Sequence, residues 1–304
     1  MPHAGGPATI LVTGAAGNLG GKLVAHLVGL PWVERIFALD LQPMAGGAYA
    51  SPKVTPIVAD LGDTYDRRWH EAAASADAIV HFAVRNPYPS GDWNDAVIAV
   101  DMTASLLDRA KATGCRFVYA SSNHAMGGYK NLDLTSIGKL SSKTPPLPGT
   151  PMFTPKGYIA PNMYGASKLV GERMLRARAI ASNGALTGVA LRIGWCLPGD
   201  DGPDYIGREQ ESPPAGDGLR QSPEERTRDV NWYRNMWLSR EDFTAEFTAA
   251  LTADARRWPE PGIVVNAMSG NRGMAWDMEE ARTWLGHVPK DDVWAELGID
   301  PPGP

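Results

Sequence analysis

The chain is poor in cysteine, with only Cys115 and Cys196 among its 304 residues. Two cysteines cannot build a disulfide framework, and alone they do not form a plausible metal site. Long hydrophobic runs are also missing, so no segment reaches the roughly 20 apolar residues that a membrane-spanning helix needs. The start of the chain passes directly into a short apolar run, residues 10–12, without the charged region or cleavage site of a secretory signal. We therefore expect no metal, no membrane partner and a reducing, cytoplasmic location.

Charge of one sign is not concentrated anywhere in the chain. The 29 Lys and Arg residues and 34 Asp and Glu residues give a formal net charge of -5 and are interspersed. A nucleic-acid surface needs a basic patch, so we expect no nucleic-acid partner. The length allows one large α/β domain, or one domain with a small appendage.

A glycine-rich turn follows the first predicted strand and precedes a predicted helix. Gly14 permits the tight turn, Gly17 lets the backbone approach a pyrophosphate, and Gly20 allows close packing of helix and strand. The next strand, residues 35–39, ends in Asp40, about 20 residues after the last glycine, where an acid binds the adenosine ribose diol. An acid there also repels a 2'-phosphate, so the sequence predicts NAD rather than NADP.

Alternating strand and helix patterns continue along the chain. Further strands are predicted at residues 55–58, 78–82, 116–120, 189–193 and 263–266, and helices at 94–113, 164–180, 276–285 and 293–297. This order predicts an α/β fold: a Rossmann-like doubly wound parallel sheet over residues 1–195, with a smaller C-terminal substrate-binding portion over 196–304. Residues 129–162 are interpreted as a lid rather than a disordered connection. Residues 198–229 contain few apolar side chains and are predicted to be a flexible insert.

The ends of parallel strands should lie beside the cofactor. Asp60 follows the third strand and either reaches the adenine or caps a helix; both interpretations stay open. His81 lies inside an apolar strand, and we interpret it as a hydrogen-bonded core residue rather than a catalytic one. The residues predicted to contact NAD are Gly14, Gly17, Asn18, Leu19, Gly20, Asp40, Leu41, Asp60, Leu61, Phe82, Ala83, Val84, Tyr164, Lys168 and Ile193.

Tyr164 and Lys168 stand four positions apart at the start of a predicted helix, so their side chains share one face. A free phenol has a pKa of about 10, and an adjacent ammonium group favours its ionised form. The pair therefore predicts a general base, Tyr164, whose pKa Lys168 lowers. Polar residues at 121–124 follow the fifth strand, where they are positioned for a ligand rather than for the core.

The glycine turn, Asp40, the serine after the fifth strand and the Tyr164–Lys168 pair together resemble the extended short-chain dehydrogenase/reductase superfamily, whose members include NAD-dependent epimerases and dehydratases. Within it, residues 121–127, 191–196, 233–236 and 237–243 are similar to the uronate dehydrogenases. The resemblance implies that Ser122 is catalytic with the pair and holds the reacting oxygen. It also implies a set of substrate contacts: Asn86, Ser122, Asn123, His124, Tyr164, Trp195 and Arg234. A guanidinium at Arg234 would hold a sugar carboxylate through two parallel hydrogen bonds.

This resemblance implies an NAD-dependent dehydrogenase that oxidises a sugar acid, or a related cyclic sugar, at a ring hydroxyl, that of C1, to the lactone. A sugar-nucleotide epimerase or dehydratase of the same fold is an alternative, although Asn123 and His124 replace the acidic pair of the dehydratases. A non-catalytic NAD-binding relative is a third. Trp195, Asn86 and Asp101 depart from the family pattern and predict a changed substrate. Related enzymes often dimerise through the helices at 94–113 and 164–182, so a homo-oligomer is expected.

Overall fold

The computed structural model describes residues 5–85, 91–136, 138–154, 156–199, 202–206 and 220–301. Its strands are β1 Thr9–Thr13, β2 Arg35–Asp40, β3 Val54–Val58, β4 Ala78–His81, β5 Arg116–Ser122, β6 Met152–Thr154, β7 Gly157–Ile159, β8 Thr187–Ile193 and β9 Gly262–Ala267. Its α-helices are α1 Asn18–Val28, α2 Arg67–Ala74, α3 Trp93–Thr113, α4 Met163–Ala181, α5 Pro223–Asn235, α6 Arg240–Thr252 and α7 Val293–Leu297. A 3-10 segment covers Asn123–Asn131, and a π-helical turn covers Ala281–Leu285.

Seven strands form one parallel sheet in the order β3-β2-β1-β4-β5-β8-β9. The order reverses at β1, which pairs with β2 on one side and with β4 on the other. In an open parallel sheet this reversal creates a crevice at the carboxyl ends of the strands. β6 and β7 form a separate antiparallel hairpin.

Both faces of the sheet are covered by helices, and successive side chains of each strand pack into different layers. On β1, Ile10 and Val12 belong to one buried cluster and Leu11 to the other. The first cluster includes Phe243 of α6, and the second includes Leu106 of α3. Burial on both faces explains why the strands are continuous apolar runs rather than alternating ones. The predicted doubly wound α/β fold is confirmed.

The structure extends or corrects several predicted elements. The short helix α2 was not predicted, because its apolar positions are few and small apart from Trp69. The predicted helix at 276–285 is wrong over its first three residues: Trp276 bridges Leu140, and helical geometry covers 279–285, with the π-helical turn at Ala281–Leu285. The prediction of a flexible insert at 198–229 is wrong for its last part, because α5 begins at Pro223 behind a Ser222–Glu225 capping box.

The two cysteines and two of the late tryptophans lie in the interior. Cys115 and Cys196 are free and buried. Trp258 and Trp294 pack in the interior, as expected for the late tryptophans. Over the ranges given above, no helix has the length and apolarity needed to cross a bilayer.

Candidate active site

A cleft of about 800 Å³ lies at the carboxyl ends of β1 to β4. The turns after these strands form its walls, together with Ile98, Asp101 and Met102 of α3. It gathers most of the residues predicted to contact NAD: Gly14, Gly17, Asn18, Leu19, Gly20, Asp40, Leu41, Asp60, Leu61, Phe82, Ala83 and Val84. Segments separated by up to some 70 positions in sequence therefore meet where the sheet topology places a ligand crevice.

The glycines of the first turn are required by close backbone contacts. Gly14 has φ +71°, and a Cβ there would lie 2.8 Å from the amide nitrogen of Ala83. A Cβ at Gly20 would lie 2.1 Å from the carbonyl oxygen of Gly14. α1 begins after Gly17 without a side-chain cap. The first backbone amide groups of α1 are therefore not occupied by a capping side chain, and such groups bind a pyrophosphate at helix N-termini.

Asp40 is fixed at the end of β2 by two backbone amides. Ala16 donates to one carboxylate oxygen at 2.9 Å, and Gln42 donates to the other at 3.0 Å. Each oxygen retains a lone pair for a ribose hydroxyl. Arg85 is the sole cationic side chain among the described residues that line the cleft. The cleft therefore fits NAD and offers little to the 2'-phosphate of NADP.

Asp60 borders the cleft, and of the two interpretations that its sequence position left open the helix cap is wrong. Its carboxylate accepts a hydrogen bond of 2.7 Å from the Gly62 amide, which closes a local turn, and the residue lines the cleft. It does not cap a helix, because the cap of α2 is Asp66. Asp60 thus orders the turn that borders the cleft.

A second cavity, of about 590 Å³, adjoins the first, since Asn18 and Leu19 line both. It contains a further set of predicted site residues: Ser122, Asn123, His124, Tyr164 and Trp195. The remaining described residues of its lining were not predicted: Met152, Phe153, Gly194, Cys196, Gln221, Asp229, Tyr233 and Met236. The candidate catalytic residues therefore lie close to the junction of the two cavities.

Tyr164 enters this cavity from the first turn of α4. Burial raises the pKa of its phenol above the usual 10, and a hydrogen bond with the side chain of Ser122 acts in the opposite direction. The helix can approach the end of β5 so closely because residue 165 is glycine: a Cβ there would lie 2.4 Å from the His124 carbonyl oxygen. The phenol and the Ser122 hydroxyl are thus held as one hydrogen-bonded pair.

Lys168 lies one turn further along α4 and is buried. Its Nζ donates a 2.7 Å hydrogen bond to the Ala120 carbonyl oxygen and lies 5.5 Å from the centroid of the Tyr164 ring. Burial lowers the pKa of Lys168 to about 7. The expectation that Lys168 sets a lowered pKa for Tyr164 is therefore corrected: burial dominates and raises that pKa, while the amine is itself only partly charged at neutral pH.

His124 and Asn123 follow Ser122 and offer neutral polar groups. His124 Nδ1 lies 2.6 Å from Thr150 Oγ1, and its ring meets the Tyr164 ring edge-to-face at 5.7 Å. Burial lowers the pKa of His124 to about 4, so the imidazole is neutral at pH 7. Asn123 donates to the carbonyl oxygen of Ile193 at 2.9 Å. Its side-chain oxygen has no hydrogen-bond partner within the described ranges and is available to a ligand.

His81 is a core residue, as predicted. Its Nδ1 lies 2.8 Å from Thr13 Oγ1 and its Nε2 lies 3.1 Å from Thr103 Oγ1. Burial lowers its pKa to about 3. With both ring nitrogens engaged between β1 and α3, His81 stabilises the sheet and takes no proton at neutral pH.

One predicted substrate contact is not brought to the described lining of this cavity. Arg234 is not part of its described lining; the guanidinium carbon lies 5.9 Å from the Trp294 ring. The reason is helical rotation: Tyr233 lines the cavity, and the next residue on α5 lies about 100° around the axis. The geometry therefore gives no support to a carboxylate clamp at Arg234. Asn86 lies outside the described residues.

The residues of α5 that line the cavity were missed because the helix itself was missed. Asp229 and Tyr233 of α5 and Met236 at its C-cap are spaced by four and three positions, which places them on one side of the helix. The available signal was Ser222 with Glu225 three positions later, a capping box that marks a helix start. A search for clusters of three or more possible metal ligands finds none within the described ranges.

Comparisons with known proteins agree with this architecture. Residues 10–194 match the model of the NAD dependent epimerase/dehydratase family. The L-arabinose 1-dehydrogenase (NAD(P)(+)) of Haloferax volcanii is 27% identical over 288 residues, covering 94% of this chain and 97% of that protein. A uronate dehydrogenase of Pseudomonas putida is 26% identical over 288 residues, covering 93% of this chain and 84% of that protein.

Among solved structures, a glucuronic acid dehydrogenase from Chromohalobacter salexigens aligns with a TM-score of 0.66 and 23% identity, covering 96% of this chain and 88% of that one. The likeness shows a shared fold. With a family match over more than half of its length, the chain belongs to the NAD dependent epimerase/dehydratase family and is an NAD-dependent oxidoreductase acting on CH–OH groups.

Proposed function

We propose that the protein is a dehydrogenase that oxidises a cyclic sugar or sugar acid at a ring hydroxyl, that of C1, to the lactone. The observation that carries the proposal is the placement of the Tyr164–Ser122 pair in a cavity that adjoins the cofactor cleft. A sugar ring in this cavity lies next to Tyr164, the proton acceptor, and also next to the side of the cleft where the nicotinamide would bind. The names of the arabinose and uronate dehydrogenases among its relatives support the same class of substrate.

The roles of the catalytic residues follow from their contacts. The Ser122 hydroxyl holds the sugar oxygen, and ionised Tyr164 removes its proton. Lys168, anchored on the Ala120 carbonyl, lies beneath the phenol and adds positive charge in the fraction that is protonated. NAD, when bound, supplies the hydride acceptor. The residues in contact with the sugar would be Asn123, His124 and Trp195.

His124 contributes a neutral group rather than a second acid. Its imidazole is uncharged at pH 7, and Asn123 carries an amide, so neither supplies the carboxylic acid that a dehydratase has at this place. This arrangement favours simple oxidation over dehydration. A cytoplasmic location and a homo-oligomer formed through α3 and α4 are part of the same proposal.

Incubation of the purified protein with NAD and a sugar panel tests this function. The panel contains L-arabinose, D-galactose, D-galacturonate, D-glucose and D-glucuronate, each with deuterium at C1. We expect NADH carrying the deuterium, in equal amount to the lactone or its hydrolysed acid seen by NMR. Absence of NADH with every sugar would refute the dehydrogenase. Conversion of UDP-sugars without net NADH would indicate an epimerase instead.

A further inference from the structure

A buried ion pair lies beside the second cavity and involves an acid that the chemistry above does not use. Asp229 on α5 is 5% exposed and lines this cavity. Its Oδ2 lies 2.9 Å from Lys130 Nζ and accepts a 2.9 Å hydrogen bond from Gln221 Nε2. Gln221 also donates to the Tyr158 hydroxyl at 3.1 Å. One carboxylate oxygen is thus fully engaged.

The other oxygen of Asp229 has no such support. Oδ1 is buried and has no hydrogen-bond partner among the residues that the structure describes. A buried acceptor left unsatisfied is destabilising, so such atoms usually have a partner. Since Asp229 lines a cavity, a bound molecule that donates a hydrogen bond would satisfy this oxygen.

Lys130 neutralises the carboxylate of Asp229 but does not line the second cavity. Its side chain has no exposed surface, donates 2.7 Å to the Pro151 carbonyl oxygen, and lies 4.9 Å from the centroid of the Tyr233 ring. It is absent from the described lining of the cavity. The ion pair therefore presents the carboxylate of Asp229 to the cavity as a hydrogen-bond acceptor. The ammonium group of Lys130 lies on the side away from the cavity.

The lining as a whole supports recognition of hydroxyl groups. Within the described part of the chain, no lysine or arginine lines the cavity, and Arg234 lies against Trp294. A sugar carboxylate at Asp229 would bring two acceptors and two negative charges together, whereas a sugar hydroxyl donates to the carboxylate. The ligand chemistry that matches this site is a neutral polyol ring.

We infer that Asp229, positioned by Lys130 and Gln221, accepts a hydrogen bond from a hydroxyl of the sugar, and that the enzyme selects neutral sugars over uronates. The inference rests on the proposed function and narrows its substrate class. It assigns Asp229 to specificity, distinct from the catalytic pair at Tyr164 and Ser122.

A matched substrate series tests this selection. L-arabinose, D-galactose and D-galacturonate share ring stereochemistry and differ only in the C5 substituent, which is hydrogen, hydroxymethyl or carboxylate. D-xylose, D-glucose and D-glucuronate form the second series. We expect kcat/KM for the best neutral sugar to exceed that for the matching uronate by at least about 10-fold, the value of one hydrogen bond to a charged group.

Asp229→Asn tests the residue itself. The variant should lose about 10- to 100-fold in kcat/KM for the neutral sugar, mostly through KM, and its preference over the uronate should shrink. Glu224→Gln, on the exposed part of the same helix, is the matched control and should change neither. NAD affinity and thermal melting verify folding. If Asp229→Asn does not fold, Gln221→Leu, which removes one support of the carboxylate, should lower the same preference.

The outcomes distinguish failure of the role inferred for Asp229 from failure of the proposed dehydrogenase function. NADH formation with uronates in preference to neutral sugars would overturn this inference and leave the dehydrogenase intact. An unchanged preference in a folded Asp229→Asn or Gln221→Leu variant would also overturn it. No NADH with any sugar would overturn the proposed function, and the inference with it.

Discussion

Arg192 and Glu172 form a buried ion pair with two parallel hydrogen bonds, Nε to Oε1 and Nη2 to Oε2, each 2.9 Å long. The pair joins β8 to α4 one turn after Lys168. Ser121, which precedes Ser122, donates a 2.6 Å hydrogen bond to the same carboxylate. The pair therefore fixes the helix that carries Tyr164 to the two strands behind the cavity.

Glu172→Gln should destabilise the protein by about 3–5 kcal/mol, because it leaves the Arg192 guanidinium buried without a countercharge. Chemical denaturation measures this loss. The double variant Glu172→Met with Arg192→Met should cost less than Glu172→Gln alone, since it buries no unpaired charge. Equal stability of Glu172→Gln and the wild type would show that the pair contributes nothing.

Asp40→Ser should weaken the use of NAD and relieve the repulsion of NADP. The carboxylate is fixed by the Ala16 and Gln42 amides and would bind the ribose diol, so kcat/KM for NAD should fall about 10- to 100-fold. Steady-state kinetics with both cofactors measures the NADP/NAD ratio, which should rise. Asp63→Ser, outside the cleft lining, is the control. An unchanged ratio would refute the assigned role of Asp40.

How far the sequence predicts this site depends on how local each signal is. The glycine turn, Asp40, and the Tyr164–Lys168 pair are short motifs at fixed spacing, and the glycines, Asp40 and Tyr164 line the two adjoining cavities. The pKa values were not predictable in the same way. They depend on burial, which arises from packing of distant elements and here raises the pKa of Tyr164 and lowers that of Lys168.

The lining of the second cavity shows the limit more clearly. The family resemblance predicts a substrate contact at Arg234, whose guanidinium suits a carboxylate, but the rotation of α5 directs Asp229 and Tyr233 to the cavity instead. That rotation follows from where the helix packs, which composition does not reveal in a segment rich in proline and charge. Lys130, about 100 positions from Asp229, is a partner that no local pattern indicates.

The rate of oxidation should rise with pH above neutrality. Burial raises the pKa of Tyr164, so the ionised phenol is scarce at pH 7 and increases up to the pKa. The measurement is kcat/KM for the sugar between pH 6 and 10 at saturating NAD. A melting temperature taken at each pH excludes loss through unfolding. A rate that falls from pH 7 to pH 9 would contradict this account of the base.

Glu246→Gln should stabilise the protein at neutral pH. Glu246 is buried near Asp242, and burial raises its pKa well above the usual value of 4.5. The folded state disfavours the charged form of the Glu246 carboxyl. The free energy of unfolding of the wild type therefore falls as pH rises above the pKa of a glutamate in the unfolded chain, about 4.3, by at most about 1.4 kcal/mol per pH unit.

Denaturation of Glu246→Gln and wild type across pH 4 to 8 measures this effect. The advantage of the variant should be smallest at pH 4 and grow with pH. Glu71→Gln removes an exposed carboxylate, with 68% of its side chain accessible, and should show no such trend. A Glu246→Gln variant whose advantage shrinks as pH rises would give the opposite sign to that expected.

The most direct test of the whole account is the rate of NADH formation by Tyr164→Phe at saturating sugar and NAD. The variant keeps the ring against His124 but has no hydroxyl, so we predict a loss of about 10²- to 10⁴-fold in kcat, with NAD binding unchanged. Oxidation at the wild-type rate by Tyr164→Phe would contradict the central claim that this phenol removes the proton.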